Sequence, residues 1–318
     1  MTRASPVRDT APGGEATPAG VAAPLDDALL RAWPLPPLDR LGDKEDRGRV
    51  LVVAGSRSCP GGARLAALAA LRAGAGKVTV ATVRSVATAL AVEDPELRVL
   101  GLNETDDGDI DPAATTQLAR CLDGTTVLLV GPGQVDEAAA SALAARLLAD
   151  FPDVPTILDA ASMRAAVGAP QAMPGTRLLL PHAGELAHLT GASKSDIERD
   201  PVRAARQAAS AWASAVAVKG ARTALARPDG HAWLHAATGR AGLGTAGSGD
   251  VLAGIIAGLA ARRIPLDQAA AWGIVLHARA GERLEERDGG PGFLARELLR
   301  EVPGVLGAAT ASADAEPA

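Results

Sequence analysis

Six short apolar runs alternate with stretches of helix formers, and this alternation restricts the fold more than any other feature of the chain. The runs are RVLVVAG (49–55), KVTVAT (77–82), TVLLVG (126–131), PTILDA (155–160), RLLLP (177–181) and AVAVKG (215–220). Each is too short for a buried helix and rich in Val, Ile and Leu, as strands covered on both faces are. Between them, segments such as GARLAALAALRAG and DEAAASALAARLLAD carry apolar residues at helical spacing. Strand and helix in alternation require crossover connections, hence an α/β fold with a mostly parallel central sheet and helices on both faces. After Lys219 the pattern changes. TALARPDG and HAWLHAA flank the turn signal Pro228-Asp229-Gly230, which predicts an antiparallel hairpin. Three helices are expected beyond it, over residues 248–262, 266–287 and 292–301. Ligands of such sheets gather at the carboxyl ends of the strands.

The chain has 318 residues, 47% of them hydrophobic, enough for one large domain, placed at residues 25–307. Residues 1–24 are rich in Ala, Pro, Gly and Thr without periodicity and are expected to be a disordered tail, as are residues 308–318. A net charge of −5 and an aromatic content of 2% without any Tyr argue against a nucleic-acid partner, which needs basic clusters or stacking platforms. Cys59 and Cys121 lack metal or disulfide spacing. No stretch approaches the ~20 apolar residues of a membrane span, and the N-terminus lacks a signal-peptide core. A soluble cytoplasmic protein without membrane contact is expected.

Chemistry is concentrated in GLGTAGSGDVLAGIIAGL, residues 242–259. Val251, Leu252, Ile255, Ile256 and Leu259 make one apolar helical face, so a helix starts near Ser248. Its first N–H groups lack internal partners and carry partial positive charge, and Gly247 and Gly249 let an anion approach the backbone. Asp250 in that first turn either complements the dipole or takes a proton from an attacking hydroxyl. The surrounding glycines favour the second role.

Other candidates sit at predicted strand ends. AGSRSCPGGARL (54–65) is a Gly-rich strand-to-helix connection without the order of a dinucleotide fingerprint or a P-loop. Gly131 and Gly133 let the backbone pass close to a ligand. Asp159 is either a helix N-cap or a contact one step behind a metal or substrate. His182 precedes Glu185 by three residues, where a helix could begin. Lys219 closes an apolar strand before a glycine and is placed to reach a phosphate. His277 lies on an apolar helix face and reads as core.

Gly247-Ser248-Gly249-Asp250 resembles the anion-hole motif of the ribokinase-like superfamily. Residues 242–259, together with AGSRSCPGGARLAALAALRAGAGKVTVAT and PHAGE, resemble the ADP- or ATP-dependent NAD(P)H-hydrate dehydratases, over about residues 36–302. The resemblance implies a ribokinase-like three-layer α/β/α sandwich. It implies Asp250 as catalytic base and substrate contact, with Gly61, Gly131, Gly133 and His182 also contacting the hydrate. It implies nucleotide binding by Lys219, Gly220, Ala221, Arg222 and Thr223 and by Gly247, Ser248 and Gly249, with Glu185 indirectly serving Mg²⁺. The implied reaction repairs hydrated NADH and NADPH (NADHX and NADPHX). ADP, or ATP, phosphorylates the C6 hydroxyl, and phosphate then departs, ADP leaving as AMP. Relatives are often tetramers, implying a homo-oligomer. The chain leaves no room for an epimerase domain ahead of this one, so a separate epimerase is the expected functional partner.

Four departures from the family pattern are visible. Ala183 replaces a proline, Ala161 replaces a second acid, Gln134-Val135 replaces a further glycine, and KEDRGRV (44–50) has no Tyr. The alternatives are a ribokinase-like kinase acting on hydroxymethylpyrimidine or hydroxyethylthiazole, against which the AGS and PHAGE blocks speak, and an inactive nucleotide-binding regulator.

Overall fold

A computed structural model describes residues 21–37, 43–167, 176–236 and 241–314. Among them ten strands form one sheet. The strands are β1 (Ala23–Pro24), β2 (Arg49–Val53), β3 (Lys77–Val83), β4 (Arg98–Leu102) and β5 (Val127–Val130). They continue with β6 (Thr156–Leu158), β7 (Arg177–Leu179), β8 (Ala215–Val218), β9 (Thr223–Ala226) and β10 (Ala232–His235). Helices in the first half are α1 (Asp27–Ala32), α2 (Gly61–Arg72), α3 (Arg84–Glu93), α4 (Thr115–Leu122), α5 (Glu137–Asp150) and α6 (Arg164–Val167). The second half contributes α7 (Ala183–Thr190), α8 (Lys194–Arg199), α9 (Pro201–Trp212), α10 (Ser248–Ala260), α11 (Leu266–Asp288) and α12 (Ala295–Asp314).

The sheet order is β1-β10-β9-β8-β7-β6-β5-β2-β3-β4. From β4 through β8 all neighbours are parallel, while β8–β9 and β9–β10 are antiparallel. The chain therefore runs outward from β2 to β4, returns to place β5 against β2, and continues the other way. Residues at the carboxyl ends of β2 and β5 flank this switch in winding direction, where open α/β sheets bind ligands.

Central strands alternate between two cores. Val50 and Val52 of β2 and Val127 and Leu129 of β5 pack toward α2, α10, α11 and α12. Leu51, Val53, Leu128 and Val130 pack toward α4, α5, α7 and α9. Burial on both faces explains why these strands are uninterrupted apolar runs, and the result is the three-layer α/β/α sandwich. On the first face, α10 lies against α2 backbone to backbone. A Cβ at Gly254 would come 2.1 Å from the Ala66 carbonyl oxygen, and one at Gly258 2.3 Å from that of Ala70. This contact fixes where the N-terminus of α10 points.

Three expectations need correction. Residues 308–314 continue α12 instead of forming a tail, because Val302, Val305 and Ala309 present a buried stripe to the core; residues 315–318 lie outside the described residues. Residues 23 and 24 of the expected N-terminal tail are β1, paired in parallel with β10, and residues 1–20 lie outside the described residues. β4 is an additional, partly exposed strand beyond the six predicted for the parallel sheet.

Candidate active site

Three side chains converge from the ends of β6, β7 and β8. Asp159 follows β6 and is buried; Lys219 follows β8 and donates its amide to the Pro181 carbonyl at 2.8 Å. The Lys219 ammonium lies 2.6 Å from Asp159 Oδ1 and 3.9 Å from Glu185 Oε2. Side-chain exposure is 15% for Lys219 and 3% for Asp159, so this pair is desolvated and each partner needs the other. Asp159 stands at the N-cap of a short 3-10 turn, yet its side chain makes no capping bond. The N-cap alternative is thereby replaced by the ion pair. The backbone there is held firmly. Asp159 donates its amide to Val130, its carbonyl accepts from Ser162 Oγ at 2.8 Å, and Ala160 is driven to φ 49°. A left-handed residue other than glycine costs roughly 1–2 kcal/mol, and here the strain falls next to the buried carboxylate.

α10 completes the cluster. Its N-cap is Gly247 at φ 87°, with no side-chain cap. The Ser248 amide turns back to the Thr245 carbonyl at 3.2 Å, and the Val251 amide to Gly247. The amides of Gly249 and Asp250 have no acceptor among the described residues. Lys219 Nζ sits 3.4 Å from where a Gly249 Cβ would be, so the ammonium and the free helix terminus face one space. Such a combination attracts phosphate.

The electrostatics assign different jobs to Asp250 and Lys219. Burial foremost, then the charges of Asp159 and Glu185, pushes the Asp250 carboxyl up to about 6, against the opposing pull of Lys219. For Lys219 burial acts downward, but the carboxylates of Asp159, Glu185 and Asp250 outweigh it and hold the ammonium above its ordinary range. Lys219 is thus a fixed cation, while Asp250 is a carboxylate whose affinity for a proton is matched to neutral pH, as a general base requires.

His182 does more than the sequence reading assigned. It is the N-cap of α7: Nδ1 accepts from the amides of Gly184 and Glu185 at 3.0 and 3.2 Å, and Glu185 Oε2 accepts from the His182 amide at 2.7 Å. In this reciprocal capping box Nδ1 is the acceptor, which puts the ring N–H on Nε2, 3.6 Å from Glu185 Oε1. The same Glu185 oxygen that accepts the His182 amide, Oε2, is the one that faces Lys219.

Gly61 opens α2, with free space where a side chain would be. Gly131 and Gly133 are required by packing of the loops on each other. A Cβ on Gly131 would meet the Asp159 carbonyl oxygen at 1.9 Å, and one on Gly133 the Cys59 carbonyl oxygen at 2.4 Å. A Cβ on Gly247 would come 2.6 Å from Leu65 Cδ1 of α2, so the Gly61 turn and the α10 terminus are neighbours. The altered loop at Gln134-Val135 is pinned by a residue the sequence reading missed. Buried Asp109 accepts from the amides of Val135 and Asp136 at 3.1 and 2.9 Å.

In the segment after Lys219, Thr223 Oγ1 donates to the Gly220 carbonyl at 3.2 Å. Arg222 gives its guanidinium to the carbonyls of Glu198 and Arg199 at the end of α8. Residues 219–223 thus bring the Lys219 ammonium to the cluster, while the Arg222 guanidinium is anchored on α8.

Among the described residues no three His, Cys, Asp or Glu side chains are arranged to enclose a metal ion; the Lys219 ammonium stands among the carboxylates instead. Mg²⁺ dehydrates reluctantly and is usually held by substrate phosphates, waters and one or two carboxylates, and the part-exposed Glu185 is a carboxylate of that kind.

Comparison with known proteins shows which family the chain resembles. A family model described as NAD(P)H-hydrate dehydratase matches residues 50–304. The chain is 46% identical over 279 residues to an ADP-dependent (S)-NAD(P)H-hydrate dehydratase of Xanthomonas campestris pv. campestris, covering 88% of this chain and 94% of that protein. It is 39% identical to a bifunctional NAD(P)H-hydrate repair enzyme of Moorella thermoacetica, covering 87% of this chain but 53% of that one. Among solved structures, the ADP/ATP-dependent NAD(P)H-hydrate dehydratase of Bacillus subtilis, co-crystallised with ATP and Mg²⁺, superposes with a TM-score of 0.77 at 27% identity, covering 91% of this chain and 99% of that one.

Proposed function

Because the chain belongs to the NAD(P)H-hydrate dehydratase family, we propose that it is an ADP-dependent lyase acting on (6S)-hydrated NADH and NADPH, with Asp250 as its base. The observation that supports this most is the ionisable carboxyl of Asp250, with no hydrogen-bond partner among the described residues, beside the amides of Gly249 and Asp250, which have none there either, and near the Lys219 ammonium. Asp250 takes the proton of the C6 hydroxyl as its oxygen bonds to the β-phosphorus of ADP. The bond from that phosphorus to the bridging oxygen breaks, and AMP departs. The amides of α10 and Lys219 stabilise charge on the phosphoryl group in flight, which is where most of the catalytic advantage in such transfers arises. The ring nitrogen then expels phosphate from C6, and loss of a proton from C5 restores the dihydropyridine.

Gly61, the paired loops at Gly131 and Gly133, and the His182 Nε2–H would line the hydrate side of the site. Glu185 would serve Mg²⁺ indirectly; the ion, when bound, would supply positive charge to the donor phosphates. The same reading takes residues 23–314 as one domain and the protein as a cytoplasmic homotetramer, paired with an epimerase that supplies the S form.

The base must be ionised to act, so its activity is lost as pH falls through its folded value of about 6. With ADP saturating and hydrate varied, kcat/KM is expected to fall about tenfold per pH unit below that point and to level above it. A profile flat from pH 5 to pH 7 would remove Asp250 from this role.

The function is tested by incubating purified protein with NADHX, Mg²⁺ and either ADP or ATP, and following the near-ultraviolet absorbance of reduced nicotinamide. Recovery of that absorbance with stoichiometric AMP from ADP is the expected result. Nucleotide turnover without NADH would instead indicate a small-molecule kinase, and neither signal an inactive binder.

A further inference from the structure

Three contacts run down one side of α11 at four-residue intervals, two ending on the loop that leads into α10 and the third on the first residue of that helix. The Glu285 carboxylate accepts the amide of Gly242. Gly281 has no side chain where Leu243 packs; a Cβ there would come 2.8 Å from Leu243 Cγ. His277 Nε2 and Ser248 Oγ share a buried hydrogen bond of 3.0 Å. Positions four apart stack on one helix face, so residues 277, 281 and 285 make a straight strip against residues 242–248.

This loop needs an external template. Gly242, Gly244 and Gly247 give it a low intrinsic preference for any single conformation, Gly247 sits at positive φ, and α10 has no side-chain cap of its own. A loop so free has to be ordered when it receives an anion, and that ordering weakens binding unless something holds the loop beforehand. We propose that the strip of α11 formed by His277, Gly281 and Glu285 preorganises the phosphate-binding loop, with His277 as the positioning residue for the α10 terminus. His277 contacts no reacting atom in this arrangement; it acts through Ser248. Burial keeps its ring neutral, pushing it down to about 4, so the bond persists across the working pH range.

The inference rests on the nucleotide reading of the α10 terminus, and its test separates the two. ADP with Mg²⁺ is titrated calorimetrically into folded wild type, His277→Leu, His277→Gln and Glu285→Ala, without hydrate. His277→Leu and Glu285→Ala are expected to weaken ADP binding roughly 3- to 10-fold, the worth of one hydrogen bond, and to raise KM for ADP with a smaller change in kcat. Gln reaches as far as Nε2 and is expected to restore affinity to within about twofold of wild type. Should His277→Leu not fold, Glu285→Ala at the far end of the strip carries the same expectation. Wild-type affinity in the folded His277→Leu and Glu285→Ala variants, or a Gln variant as weak as Leu, overturns the proposal while leaving the nucleotide site standing. Wild type that binds no ADP overturns both.

Discussion

Asp250→Asn is expected to lower kcat for dehydration about 100- to 10,000-fold, the usual contribution of a positioned general base, while leaving the protein at least as stable as wild type. The two expectations have one cause. Burial raises the Asp250 carboxyl from 3.8 to about 6 in the folded protein, so between those values the folded state binds more protons than the unfolded one, and stability falls as pH rises through that window. At neutral pH the ionised carboxylate therefore works against folding. Asn has the same shape and no charge to desolvate, so urea unfolding at pH 7 should need as much denaturant or more. A variant that is inactive because it is unfolded would show the opposite. Loss of rate with a gain in stability is the pattern of a residue retained for chemistry.

Lys219→Met is expected to damage both stability and binding, and by different routes. Removing one partner of a buried ion pair leaves the other charge uncompensated, which costs roughly 3–5 kcal/mol; here Asp159 would be left facing Met, with Glu185 nearby. Losing a charged contact to the donor phosphates should weaken ADP binding by a factor of roughly 10 to 150, from the ~1.5–3 kcal/mol typical of hydrogen bonds to charged groups. A third consequence distinguishes this role from simple scaffolding. Lys219 holds the Asp250 carboxyl down, so without it the acid limb of the pH profile should move to higher pH. Measured at a temperature where the variant is folded, an unmoved limb together with unchanged ADP affinity would mean that Lys219 serves only Asp159.

What could be read in the sequence, and what could not, follows from range. Strands β2, β3 and β5 to β8 were legible because burial on both faces makes their apolar runs continuous, and the start of α10 at Ser248 because its apolar face repeats locally. β4 was not, since an edge strand with exposed Arg98 and Gly101 has little pattern to show. The end of α12 was hidden for a related reason. Its Ala-rich composition resembles a tail, and only the placement of Val305 and Ala309 against the core reveals a helix. At the site, residue types at strand ends pointed to Asp159, His182, Glu185, Lys219 and Asp250, but not to their pairings. Asp159 and Lys219 are 60 positions apart, and Ser248 and His277 are 29 apart. Nothing local to either member announces the other. Asp109 was missed altogether, because a carboxylate that accepts two amides of a distant loop looks in sequence like any surface acid.

The most direct measurement is a crystal structure of the protein with ADP, Mg²⁺ and a hydrate analogue that keeps the hydroxyl but cannot expel phosphate. The β-phosphate is expected within hydrogen-bond distance of the Gly249 and Asp250 amides and of Lys219 Nζ, with the analogue's hydroxyl between Asp250 and the phosphorus. A transferable phosphate bound away from the tip of α10, or a hydroxyl out of reach of Asp250, would contradict the account.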